Sequence, residues 1–181
     1  MGWPQKFRKD TLERRQKVTN SAPPGWKPAG KYAQYAIQTH LKGKYLTAMD
    51  GGGRITDVIH TNAVKPLNWE TFTLWTDSAR ENYAFQTVNG YFVTAVNAGG
   101  MTSDAIHTNA TQILGWEMFK LVPPLGQSAS DTYAIQTQRG FFLTAVGGGG
   151  HDSGETIHTD AVTAREWELY RLINLDLIEE G

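Results

Sequence analysis

Apolar and polar residues alternate with a period of two, in short runs, along most of the chain. In the first run Tyr35, Ile37 and Thr39 take one side while Ala36 and Gln38 take the other. Leu46 and Ala48 share a side of the second run, Ile59 stands between Val58 and His60 in the third, and Phe72 and Leu74 share a side of the fourth. Alternation by two predicts strands, since a helix would repeat its apolar positions every 3.6 residues. Glycine and asparagine punctuate the runs because their backbones tolerate positive φ, and Asn89-Gly90 is a hairpin signal.

The runs recur. YAIQT at Tyr35 returns as YAFQT at Tyr83 and YAIQT at Tyr133. In each copy there follow a Gly-aromatic-Thr-Ala segment (GKYLTA from Gly43, GYFVTA from Gly90, GFFLTA from Gly140), a glycine-rich stretch, and VIHTNA, AIHTNA or TIHTDA. Each copy closes on WETFTLW, WEMFKLV or WELYRLI, at Trp69, Trp116 and Trp167. Four short strands in each of three copies make twelve. A copy of this size cannot bury its own core, so the three must share one. An all-β β-trefoil with pseudo-threefold symmetry is the architecture expected, because propellers typically need four or more blades. The trefoil is expected over residues 32–175, with repeats at 35–78, 83–124 and 133–175. The core is expected to be layered in triplets: Ile37 with Phe85 and Ile135, Leu46 with Val93 and Leu143, Ile59 with Ile106 and Ile157, and Leu74 with Leu121 and Leu172.

Composition narrows the chemistry. With no cysteine among 181 residues, disulfides, thiol nucleophiles and sulfur-bound zinc are excluded. No apolar run is long enough to span a membrane, so none is expected. The first residues are basic and polar without an apolar stretch, so no secretory leader is read and the cytoplasm is the expected compartment. The net charge of −1 is unevenly placed: residues 1–31 carry eight Lys or Arg against Asp10 and Glu13, which leaves the remaining body acidic. An acidic body is a poor match for phosphate backbones, so no nucleic acid is expected as a partner. Residues 1–31 form a basic arm whose PQKFRKDTLERRQKV segment can make helical turns, followed by SAPPGWKPAG as a linker or a strap across the barrel. The arm is a candidate for contacts between copies of the chain; residues 176–181 form a short acidic tail.

The residues that recur without serving the core are the candidate site. If Ile59, Ile106 and Ile157 point inward, alternation turns His60 with Asn62, His107 with Asn109, and His158 with Asp160 outward. An acid stands three residues before each histidine: Asp57, Asp104 and Glu155. Trp69, Trp116 and Trp167 fall on the outer side of the fourth strand, and the glutamates that follow them suit a turn amide. Acidic acceptors, imidazole, amide and an indole face together suit a neutral sugar, whose hydroxyls need paired hydrogen bonds and whose C–H face stacks on an aromatic ring. One shallow site per repeat is expected, with the glycine-rich turns letting a ligand approach the backbone. Tyr35, Tyr83 and Tyr133 read as core-edge aromatics.

Catalysis has little support. Paired carboxylates are present, but glycoside hydrolysis needs two facing each other across a cleft. No GxSxG, P-loop or HExxH motif occurs. His151, Asp152, Glu155, His158 and Asp160 are too loosely spaced for a metal centre, and no metal or other cofactor is expected.

GKYLTA followed by a glycine-rich turn and WETF resembles the repeat of fascin-like β-trefoils. The resemblance implies the trefoil fold and either of two roles: carbohydrate binding, as in bacterial modules of that type, or protein interaction, as in the actin-bundling members. The combined expectation is a non-enzymatic, lectin-like protein with up to three saccharide sites and glycans as partners, with a cytoskeletal interaction module as the alternative.

Overall fold

Strands form where the period-two runs place them. The computed structural model describes residues 22–126 and 131–176. The predicted helical turns of the arm and nearly all of the acidic tail lie outside these residues.

Each repeat contributes two long barrel strands and a hairpin between them. The first repeat holds β2 (Gln34–Thr39), the hairpin β3 (Tyr45–Ala48) with β4 (Ile59–Ala63), and β5 (Phe72–Asp77). The second holds β6 (Tyr83–Gln86), β7 (Phe92–Ala95), β8 (Ile106–Ala110) and β9 (Phe119–Val122). The third holds β10 (Thr132–Thr137), β11 (Phe142–Ala145), β12 (Ile157–Ala161) and β13 (Leu169–Asn174). Antiparallel pairing runs β2–β5, β5–β6, β6–β9, β9–β10, β10–β13 and back from β13 to β2, which closes a barrel. The three hairpins cap one end. This is the β-trefoil. A thirteenth strand, β1 (Trp26–Pro28), joins the twelve because the proline-rich stretch crosses the barrel as a strap, with Trp26 opposite Asp77 and Pro28 opposite Trp75 on β5.

The expected triplets are buried, with one exception. Ile37, Phe85, Ile135 and the Leu46 and Ile59 sets are all in the core, whereas Leu121 is half-buried at the barrel mouth. A deeper aromatic layer, Phe72, Phe119 and Tyr170, lies beneath it, at most 1% exposed. Phe85 meets Phe72 and Phe119 edge-on, at centroid separations of 6.5 and 5.9 Å, an arrangement that suits the ring quadrupoles. The Tyr170 hydroxyl donates to the Leu143 carbonyl at 3.1 Å, and burial pushes its pKa up.

The repeats are latched to one another through the threonine of each Ile-His-Thr segment. Each hairpin ladder slips by one residue beside that threonine, as between Tyr45↔Ala63 and Thr47↔His60. The bulge releases the threonine backbone from its own hairpin. Gly53 N–H then donates to Thr108 O at 2.6 Å while Thr108 N–H donates to Arg54 O at 2.9 Å. The same exchange joins Gly100 and Met101 to Thr159, and Gly150 and His151 to Thr61, so the three repeats close in a ring. All three threonines are fully buried. Thr159 Oγ1 also accepts from Met101 N at 3.1 Å. Thr159→Val keeps the shape and orphans that N–H, so it is expected to cost about 1–2 kcal/mol, read as a lower urea midpoint at unchanged slope.

Candidate functional site

The segments preceding β4, β8 and β12 meet on the pseudo-threefold axis at the capped end of the barrel. They enclose a hollow of about 490 Å³, within the range of small-molecule sites. Asp57, Asp104, Glu155 and His107 line it, over an apolar floor that includes Ile106 and Ile157.

In two repeats the acid and the imidazole are joined. His60 Nε2–H donates to Asp57 Oδ1 at 2.6 Å, and His107 Nε2–H donates to Asp104 Oδ1 at 2.7 Å. The rings are mostly covered, with 16% and 23% of the side chain exposed, while the carboxylates stand out at 51% and 61%. Each aspartate adopts a left-handed backbone, φ 49° at Asp57 and 51° at Asp104. Aspartate tolerates this conformation better than most residues. In the first repeat Arg54 also approaches Asp57, at 3.8 Å.

The third repeat departs from this pattern. Its loop from Gly149 to His158 is one residue longer than those from Gly52 to His60 and Gly99 to His107. The left-handed position falls on Gly154, φ 74°. Glu155 still lines the hollow, but no hydrogen bond joins it to His158 among the described residues.

The remaining candidates lie away from this hollow. Asn62, Asn109 and Asp160 are exposed on their strands, and His60 and His158 are half-buried outside its lining. Trp69, Trp116 and Trp167 sit on one-turn 3-10 segments and are 42%, 46% and 44% exposed. The indoles are exposed, as expected, but on turns that precede the fourth strands and not on the strands themselves. The adjoining glutamates are buried, and each carboxylate closes its turn: the N–H groups of Leu67, Leu114 and Arg165 donate to Glu70, Glu117 and Glu168 at 2.9 to 3.0 Å. Glu117 also accepts from Thr94 Oγ1 at 2.7 Å. The acids thus gather on the axis, while the indoles remain at the periphery.

The glycine-rich turns require a correction. They were expected to let a ligand approach the backbone, but side chains of the next repeat occupy that space. A Cβ on Gly52 would overlap Thr87, one on Gly99 would lie 2.7 Å from Thr137 Oγ1, and one on Gly149 would lie 2.8 Å from Thr39 Oγ1. These glycines serve inter-repeat packing. The latch threonines were likewise missed, although their recurrence in all three copies was a signal of a shared structural task.

Among the described residues no group of three His, Asp or Glu side chains is placed to hold a metal ion, and no helix is long and apolar enough to cross a membrane.

The closed barrel with its three hairpins is a β-trefoil, and comparison with known proteins gives its family. Residues 32–148 match the family described as a domain of unknown function (DUF7910), and the chain belongs to it. No curated protein matches the sequence. Solved structures share the fold at low identity. The designed threefold-symmetric protein ThreeFoil is 14% identical with a TM-score of 0.65, covering 78% of this chain and 99% of its own. The Rhizoctonia solani agglutinin is 16% identical with a TM-score of 0.60, covering 78% and 94%. SeviL, solved bound to the asialo-GM1 saccharide, is 11% identical with a TM-score of 0.55, covering 78% and 97%.

Proposed function

We propose that this chain is a non-catalytic carbohydrate-binding protein and that its principal sugar subsite is the axial hollow. The observation carrying the reading is the convergence of Asp57, Asp104, Glu155 and His107 on one cavity of about 490 Å³. Exposed carboxylate oxygens accept from sugar hydroxyls in charge-assisted hydrogen bonds, and the isoleucine floor receives the C–H face of the ring. The histidines steady two of the acids rather than standing free. The three exposed indoles supply stacking faces for further saccharide units, so a branched glycan engaging axis and periphery together gains avidity. The agglutinin and the saccharide-bound SeviL share this fold, which supports the reading.

Glycan-array screening followed by calorimetric titration tests it. Asp57→Asn, Asp104→Asn and Glu155→Gln, combined, retain shape and the left-handed preference but remove charge. The triple variant is expected to weaken the best-bound saccharide by about tenfold or more, since hydrogen bonds to charged groups are roughly twice as strong as neutral ones. A wild-type protein that binds no saccharide, or a triple variant that binds as well as the wild type, overturns the proposal.

A further inference from the structure

The opposite end of the barrel holds a second cavity, also of about 490 Å³, that the proposed sugar site leaves unused. Its floor is Leu74, Leu121 and Leu172, and Tyr35, Tyr83 and Tyr133 stand around it as equivalent half-buried rings. Two of the tyrosine hydroxyls are already engaged: Tyr35 donates to Ala29 O at 3.2 Å and Tyr83 to Arg80 O at 3.5 Å. The Tyr133 hydroxyl makes no hydrogen bond among the described residues, and the Arg80 guanidinium, also lining the cavity, makes neither hydrogen bond nor ion pair there. Asp131, the lining carboxylate, is matched by Arg171 at 3.3 Å, which leaves Arg80, exposed to solvent at the mouth, as the lining cation without a protein partner among the described residues.

Arg80 is held at this mouth by a built turn. It adopts φ 57°, unfavourable for a long side chain. Asp77 secures the turn, accepting from the backbone N–H groups of Glu81 and Asn82 at 2.9 and 3.3 Å and from Asn82 Nδ2 at 2.9 Å.

We propose that this cavity binds a small ring-bearing monocarboxylate. The leucine floor and tyrosine walls take a hydrocarbon ring by burial and edge or face contact. The planar guanidinium of Arg80 matches a carboxylate with two parallel N–H bonds, and the Tyr133 hydroxyl adds a donor. A sugar fits this end less well, because hydroxyls facing the leucines would lose their hydrogen bonds to water without replacement. An organic cation is disfavoured by Arg80 itself.

The test titrates the full chain, carrying 13C-labelled tyrosine, with benzoate and separately with benzyl alcohol, while the ring signals are followed by NMR. Benzoate is expected to shift the Tyr35, Tyr83 and Tyr133 signals saturably with a Kd of about 1 mM or tighter. Benzyl alcohol, which keeps the ring and loses the charge, should bind about tenfold more weakly. Arg80→Gln should weaken benzoate by about tenfold and leave benzyl alcohol unchanged, a split that loss of folding does not produce. Leu121→Trp, which fills the floor, should abolish both. Absence of saturable shifts up to about 10 mM, well above that Kd, overturns the proposal. So does equal binding of benzoate and benzyl alcohol, or an Arg80→Gln variant that binds benzoate undiminished. Saccharide binding is read at the other end of the barrel, so the two proposals fail independently.

Discussion

Gly52→Ala is expected to lower the unfolding free energy by about 3–5 kcal/mol, combining left-handed strain with overpacking. Gly52 adopts φ 101°, where a Cβ is disfavoured, and that Cβ would overlap Thr87 Oγ1 and lie 2.9 Å from Thr87 Cβ and Cγ2. Thr87 cannot turn aside cheaply: it is buried, and its Oγ1 accepts from Tyr91 N at 3.3 Å. The strain falls beside the latch, since Gly53 and Arg54 exchange bonds with Thr108. Gly25→Ala isolates the dihedral contribution, because Gly25 has φ 83° and no atom within 4 Å of a built Cβ; its expected cost is about 1–2 kcal/mol. Urea unfolding of both variants, and of Gly52→Ala with Thr87→Ala, checks the division. If steric overlap dominates, the double variant recovers part of the loss. Equal costs at Gly52 and Gly25 would contradict the packing role.

Barrel strands, hairpins and most core triplets were legible because alternation, glycine punctuation and threefold recurrence all give the same answer. The indoles are exposed as expected, but alternation is not the reason: Trp69, Trp116 and Trp167 stand on 3-10 turns that precede the fourth strands. Three features were not legible, for different physical reasons. Thr61, Thr108 and Thr159 bond to a neighbouring repeat far away in sequence, and a threonine within a strand gives no sign of a distant backbone partner. The acid–histidine spacing placed both groups on the hairpins, but only the threefold closure of the chain brings the segments before β4, β8 and β12 together, so that Asp57, Asp104 and Glu155 line one hollow. Counting back from the histidine equated Glu155 with the two aspartates, whereas the backbone conformation equates Gly154 with them, because the third loop has one more residue. Conformation, not spacing, defines equivalence there.

The distinction between Phe119 and Leu121 sets the second large expectation. Alternation puts both on the inner side of β9, and the sequence offers no means of ranking them. In the barrel Phe119 is fully buried and packs edge-on against Phe85, while Leu121 is half-buried and forms part of the mouth cavity. Phe119→Ala should therefore cost about 3–5 kcal/mol, through lost burial and a void its neighbours cannot fill. The axial core already contains an apolar gap of about 20 Å³ lined by Phe119 and its neighbours, so relaxation will not erase the new space. Leu121→Ala should cost clearly less than a fully buried leucine, about 1–2 kcal/mol, since much of its surface already faces the open mouth. Denaturant midpoints for the two variants at unchanged slope test the ranking. The contrast extends to binding. Leu121→Ala enlarges the leucine floor and should alter benzoate affinity while leaving saccharide binding intact. Phe119→Ala weakens the whole barrel, so both ligands should be lost together and only as the protein unfolds. A Leu121 variant as destabilised as the Phe119 variant would mean that the mouth is closed and filled, removing the cavity on which the carboxylate site depends.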